Sequence, residues 1–109
     1  MKIVVAPDKF KGSLSSFEVC EALKEGFKQF DRDIDVSSYP MADGGDGFAS
    51  VLKHYLHMQT VFVETVDPLG RPINTQYEWD QQSRSAVIEM ALASGLVLLK
   101  KEERNPLLA

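Results

Sequence analysis

Twice between Ile3 and His57, a short β-prone run leads into a charged, glycine-containing loop and then into apolar residues at helical spacing. Ile3-Val4-Val5-Ala6 precedes Asp8-Lys9-Phe10-Lys11-Gly12-Ser13, and the alternating stretch Ile34 to Tyr39 precedes Ala42-Asp43-Gly44-Gly45-Asp46-Gly47. A β-branched run without polar interruption suits a parallel strand covered on both faces. The order β-loop-α-β-loop-α therefore predicts an α/β fold class, a parallel Rossmann-like sheet with flanking helices. Open sheets of this kind bind ligands beyond the carboxyl ends of their strands, where both loops fall.

The first helix has the clearest signals. Ser15-Ser16-Phe17-Glu18 fits a capping box, with Ser15 as N-cap and Glu18 at the third helical position. Phe17, Cys20, Leu23, Phe27 and Phe30 then recur three or four apart and predict one apolar face ending near Asp31. Phe48, Val51, Leu52, Tyr55 and Leu56 predict a second helix across residues 47–57. Beyond it the pattern changes. Thr60 to Val66 reads as a strand and Asp67-Pro68-Leu69-Gly70-Arg71-Pro72 as a turn. Ile73 to Trp79 and Ala86 to Met90 read as a hairpin across polar residues 80–84. The expected organisation is thus a Rossmann-like part over residues 1–66 and a β-rich segment over 67–109, the beginning of a second domain or an extension. Residues 91–99 are ambiguous, with 91–95 open to a helical turn and 97–99 to a strand, and 100–104 read as a solvated charged stretch. The apolar ending Leu107-Leu108-Ala109 suggests a truncated chain whose unfinished edge favours self-association into a homo-oligomer.

Composition narrows the function classes. Hydrophobic residues make up 44% of the 109 and charged residues 26%, so a folded domain is expected and general disorder is not. A net charge of -4 repels polyanions and disfavours nucleic acid as a partner. A small anion remains admissible, because local donors decide its binding. No apolar run approaches the ~18 residues of a membrane span, and no signal-peptide pattern opens the chain, so a cytoplasmic protein is expected. The single Cys20 falls on the apolar helix face and reads as core.

The two loops carry the chemistry. In the first, Lys9, Lys11, free backbone N–H groups and the start of a helix would attract a carboxylate or phosphate. The same residues also describe a solvated loop before a well-capped helix. In the second, Asp43 and Asp46 lie close enough to repel unless a proton or cation intervenes, which suits Mg²⁺. One of them could instead orient or deprotonate a hydroxyl, and a tight turn with Asp46 at a helix start fits equally well. The oxygen ligands of an EF-hand, the P-loop and the G-x-G-x-x-G fingerprint are all missing. His54 and His57 have no further zinc ligands and read as ordinary helix residues. Phe62, Tyr77 and Trp79 read as packing. Glu89, inside Val87-Ile88-Glu89-Met90-Ala91, is either an outward strand residue or a site group.

Four separated segments together resemble the amino-terminal part of bacterial glycerate kinases: residues 3–15, Pro40 to Gly47, Asp67-Pro68-Leu69-Gly70, and Val87 to Ala91 with Ala93-Ser94-Gly95-Leu96 beyond. The resemblance runs along the whole chain and implies a two-domain α/β enzyme, several times longer, that phosphorylates glycerate from ATP with Mg²⁺. It implies catalytic roles for Asp43, Asp8 and Lys11, with Asp43 or Asp8 handling the hydroxyl proton. It implies substrate binding by Lys9, Ser13, Gly44, Gly45 and Ser94, and a metal-holding role for Asp46. Relatives often have Ser where this chain has Lys9 and Glu where it has Asp46. Two other classes stay open: a stand-alone anion- or metal-binding α/β module, and a non-catalytic piece that docks on a partner.

Overall fold

In the computed structural model, which describes residues 1–107, the first β-branched run forms strand β1 (Lys2–Val5) and the capped apolar stretch forms helix α1 (Ser16–Phe30). Strand β2 (Asp35–Ser38) returns parallel to β1, in register from Lys2↔Asp35 to Val5↔Ser38. Parallel neighbours need a crossover, and α1 supplies it. The predicted capping box is present in full. Ser15 N–H and its hydroxyl donate to Glu18 Oε2, each at 2.7 Å, and Glu18 N–H donates to Ser15 Oγ at 3.3 Å.

Val5, Val19, Cys20 and Ile34 are buried in this first compact unit, residues 1–47. Cys20 is core as expected, and burial pushes its thiol pKa up, with the Glu21 carboxylate adding to the shift. Two expectations need correction. The helix face does not stay covered to its end, because Leu23 and Phe30 are exposed while Val19 joins the core. Fifteen helical residues span about 22 Å whereas a four-residue strand spans about 13 Å, so the last turns outrun the sheet. Nor is β1 covered on both faces: Val5 is buried but Val4 is exposed. Among the described residues the parallel sheet has two strands.

The second unit begins at Phe48. It contains helix α2 (Phe48–Leu56) and an antiparallel sheet of β3 (Gln59–Val66), β4 (Pro72–Asp80) and β5 (Ser85–Val87) in that order. The sequence placed the change of pattern at Asp67, but β3 pairs with β4 along its whole length, from Gln59↔Trp79 to Val66↔Pro72. A strand's own periodicity does not encode which strand it joins. The turn between them is organised by the buried Asp67, whose carboxylate accepts from Leu69 N–H and Arg71 N–H, both at 2.9 Å, and from Arg71 Nε at 2.5 Å. Burial pushes the Asp67 carboxyl up, but the Arg71 and Leu69 donors outweigh it and hold the group below the usual carboxylate range. Arg71 Nη1 also donates to Glu103 Oε1 at 2.9 Å, so the charged stretch 100–104 is tied down rather than freely solvated.

The ambiguous segment resolves into a short helix α3 (Ala91–Ser94) and a 3₁₀ turn at Leu96–Leu98. Leu107 is exposed, whereas Leu108 and Ala109, part of the expected self-association patch, lie outside the described residues. Among the described residues no helix is long and apolar enough to cross a membrane.

A polar cluster sits between α2 and the sheet. Glu78 is only 1% exposed, and its Oε2 accepts from the Thr60 hydroxyl at 2.8 Å and its Oε1 from Gln76 Nε2 at 3.2 Å. Lys53 Nζ donates to Thr60 Oγ1 and lies 3.8 Å from Glu78 Oε2. Of the three aromatic residues expected to pack, Tyr77 and Trp79 are half-buried, but Phe62 is exposed. A carboxylate, not an aromatic ring, occupies the most enclosed position on β4.

Candidate functional site at the carboxyl ends of β1 and β2

Parallel pairing puts the loops after β1 and β2 on the same rim of the sheet. Tyr39 N–H donates to Val5 O at 2.8 Å and Met41 N–H to Pro7 O at 2.9 Å, so the chains stay paired just beyond the strands. The basic and acidic loops then meet. Asp8, Lys9, Lys11, Asp43, Gly45 and Asp46 line one open cavity of about 240 Å³.

Lys9 is the centre of the cluster. Its Nζ lies 3.1 Å from Asp43 Oδ1, to which it donates, and 3.6 Å from Asp8 Oδ1. Its backbone N–H also donates to Asp8 Oδ1, at 2.6 Å. Gly45 N–H adds a second donor to Asp43 Oδ1, at 3.0 Å. That N–H first, and then the Lys9 ammonium, hold the Asp43 carboxyl below the usual carboxylate range. The bond to Asp43 correspondingly raises the Lys9 ammonium. Both donors converge on Oδ1, and the Asp43 side chain is still 71% exposed to an incoming group.

Two glycines make this geometry attainable. Gly44 has a φ of +95°, a conformation that costs other residues energy. A Cβ on Gly45 would come within 3.1 Å of Asp43 Oδ1 and 3.4 Å of Lys9 Nζ, so a side chain there would press on the ion pair.

The expected free donors of the basic loop are largely spent. Phe10 N–H donates to Leu14 O, and Ser13 N–H and Leu14 N–H both donate to Phe10 O. At the start of α1 the Glu18 carboxylate takes the Ser15 N–H and hydroxyl, and Ser15 Oγ takes the Glu18 N–H. Positive charge at this rim therefore comes from the Lys9 and Lys11 side chains. Ser13 is exposed beside Lys11 in the same turn, outside the residues that line the cavity. Ser94 lies at the end of α3 in the second unit and is exposed.

Glu89 does not take the outward strand position. It is buried beyond the end of β5, and Oε2 accepts from Ala49 N–H at 3.0 Å, in the first turn of α2. A carboxylate at a helix amino terminus is favourable. The signal in the sequence was an acid within an apolar run, but its partner lies 40 residues away. Among the described residues no group of three or more His, Cys, Asp or Glu side chains is placed to hold a metal ion. Mg²⁺ commonly needs only one or two carboxylates when phosphates and water complete its shell, and Asp46 on the cavity wall satisfies that minimum.

Fold and cavity together define a mixed α/β protein with its ionisable groups gathered where two parallel strands end. Comparison with known proteins gives the family. The glycerate kinase family model matches residues 3–109. Similar proteins include glycerate kinase of Haemophilus influenzae, 43% identical over 99% of this chain, and that of Bacillus subtilis, 42% identical over 99%. Glycerate 2-kinase of Escherichia coli is 39% identical over 98%. A crystal structure from Salmonella typhimurium LT2, provisionally named glycerate kinase 2, superposes with a TM-score of 0.73 at 43% identity, covering 98% of this chain and 29% of its own. The chain belongs to the glycerate kinase family. It spans 28 to 29% of the length of these three curated relatives.

Proposed function

We propose that this chain supplies the acceptor-side part of an enzyme that transfers a phosphoryl group from ATP to a hydroxyl of glycerate. The observation that carries the reading is the shared cavity, in which Lys9 and Lys11 face Asp8, Asp43 and Asp46. The cavity is open, and its lining of two ammonium groups and three carboxylates suits a small polar acid.

Lys11, with Lys9, Ser13 and the backbone of Gly44 and Gly45, would bind the carboxylate of glycerate. Asp43 is held ionised by its two donors, so it is suited to accept a hydrogen bond from the reacting hydroxyl and fix its direction of attack. The hydroxyl proton would pass to Asp43 or to Asp8 as the new O–P bond forms and the bond from the γ-phosphorus to the bridging oxygen breaks, releasing ADP. Asp46 would hold Mg²⁺ together with phosphate oxygens, and the bound ion would neutralise charge on the transferring group. The remaining nucleotide contacts would come from sequence beyond this chain.

A coupled ATP assay with D-glycerate, on a protein carrying this chain at the relatives' full length, tests the reading. Phosphoglycerate formation is expected, and Asp43→Asn should lower kcat at least ~10²-fold, the scale of a lost general base. Unchanged turnover would remove the role given to Asp43, and no turnover with glycerate would remove the reading. Residues 1–109 alone are expected to be inactive.

A further inference from the structure

We propose that Lys9 is a built-in counter-ion that keeps divalent metal off the Asp8–Asp43 carboxylate pair, and so decides where on this rim a metal can bind. The ammonium lies where a bridging cation would, 3.6 Å from Asp8 Oδ1 and 3.1 Å from Asp43 Oδ1. Its side chain is only 18% exposed although Asp43 is 71% exposed, so the cation is the sheltered member of the group. The Lys9 backbone fixes Asp8 Oδ1 and Gly45 N–H fixes Asp43 Oδ1, so both oxygens are oriented by bonds that do not involve the ammonium. The bare α-carbon of Gly45 leaves room for Nζ beside them.

Mg²⁺ demands oxygens at about 2.0–2.1 Å, and it cannot approach both Oδ1 atoms while the ammonium stands there. With Lys9 in place, the Asp8–Asp43 pair is closed to a divalent ion. Removing the ammonium should uncover two carboxylates already turned toward a common point. This inference rests on ion-pair geometry and not on the phosphoryl-transfer reading, because its test contains neither nucleotide nor glycerate.

The test is Mn²⁺ binding to the chain, followed by the loss of the free-ion electron paramagnetic resonance signal at neutral pH. Wild-type protein is expected to bind weakly, and Lys9→Met to bind at least about tenfold more tightly, since ligand charge sets affinity in such sites. Lys9→Arg should match wild type. Adding Asp43→Asn to Lys9→Met should abolish the gain. Circular dichroism checks folding, and Lys9→Gln serves the same purpose if the Met variant does not fold. Equal Mn²⁺ affinity in wild type and Lys9→Met, or a gain that survives Asp43→Asn, would overturn the inference.

Discussion

Glu78 offers a demanding test of how the second unit is held together. Its carboxylate is enclosed, and the strongest donor to Oε2 is a neutral hydroxyl rather than the neighbouring cation: Thr60 Oγ1 lies at 2.8 Å and Lys53 Nζ at 3.8 Å. Thr60→Val keeps the side-chain shape but deletes that donor, and hydrogen bonds to charged groups contribute about 1.5–3 kcal/mol. A loss of about 2 kcal/mol is therefore expected. Removing the partner of a fully buried ion pair costs about 3–5 kcal/mol, whereas exposed pairs contribute about 0–1. The Lys53 side chain is 44% exposed and stands beyond hydrogen-bond reach of the carboxylate, which places Lys53→Met near the lower range, about 1 kcal/mol. Because Lys53 also donates to Thr60 Oγ1, the double variant should lose less than the sum of the two. Urea unfolding at neutral pH measures all three. A Thr60→Val loss under about 0.5 kcal/mol, or a Lys53→Met loss that exceeds it, would refute the assignment of the hydroxyl as the principal partner.

Two further outcomes can be checked by the same unfolding measurements. Ser15→Ala should destabilise the protein by about 1 kcal/mol, the usual scale for a lost N-cap, and adding Glu18→Gln should cost little more, since the two side chains serve one another. The Asp43 and Asp67 carboxyls are held below their ordinary values in the folded state, so the unfolded chain binds protons at these groups first as acid is added. Their stabilisation should be complete above the unfolded value near pH 4 and disappear as pH falls through the depressed folded values. Thermal unfolding between pH 7 and pH 3 should show the decline beginning near pH 4, and Asp67→Asn should flatten it. A profile level down to pH 3 would contradict these carboxylate environments.

Local signals were legible wherever neighbours in sequence decide the outcome. The Ser15–Glu18 capping box, the helical spans of α1 and α2, the Asp67 turn and the Asp80–Arg84 hairpin all rest on residues within a few positions of one another. The meeting of the Lys9 and Asp43 loops was also legible, because parallel pairing of two strands sends their following loops to one edge. What escaped depends on distant partners. Nothing in the sequence marks Glu78 as buried, since alternation separates two faces without saying which turns inward. Glu89 is explained by Ala49, and Lys9 by Asp43, across 40 and 34 residues. The backbone donors of residues 10–14 looked available because nothing in their composition announces the Phe10–Leu14 bridge that consumes them.

The self-satisfied start of α1 also bears on selectivity. A free anion that sought the Ser15 N–H would have to displace a covalently attached rival three residues along the chain, whose effective concentration is at least on the mM scale of short tethers. Any attraction of a negative ligand to this edge then draws on the Lys9 and Lys11 ammonium groups. Attraction of that kind fades as ionic strength rises, since mobile ions screen exposed charges beyond about 8 Å at physiological salt.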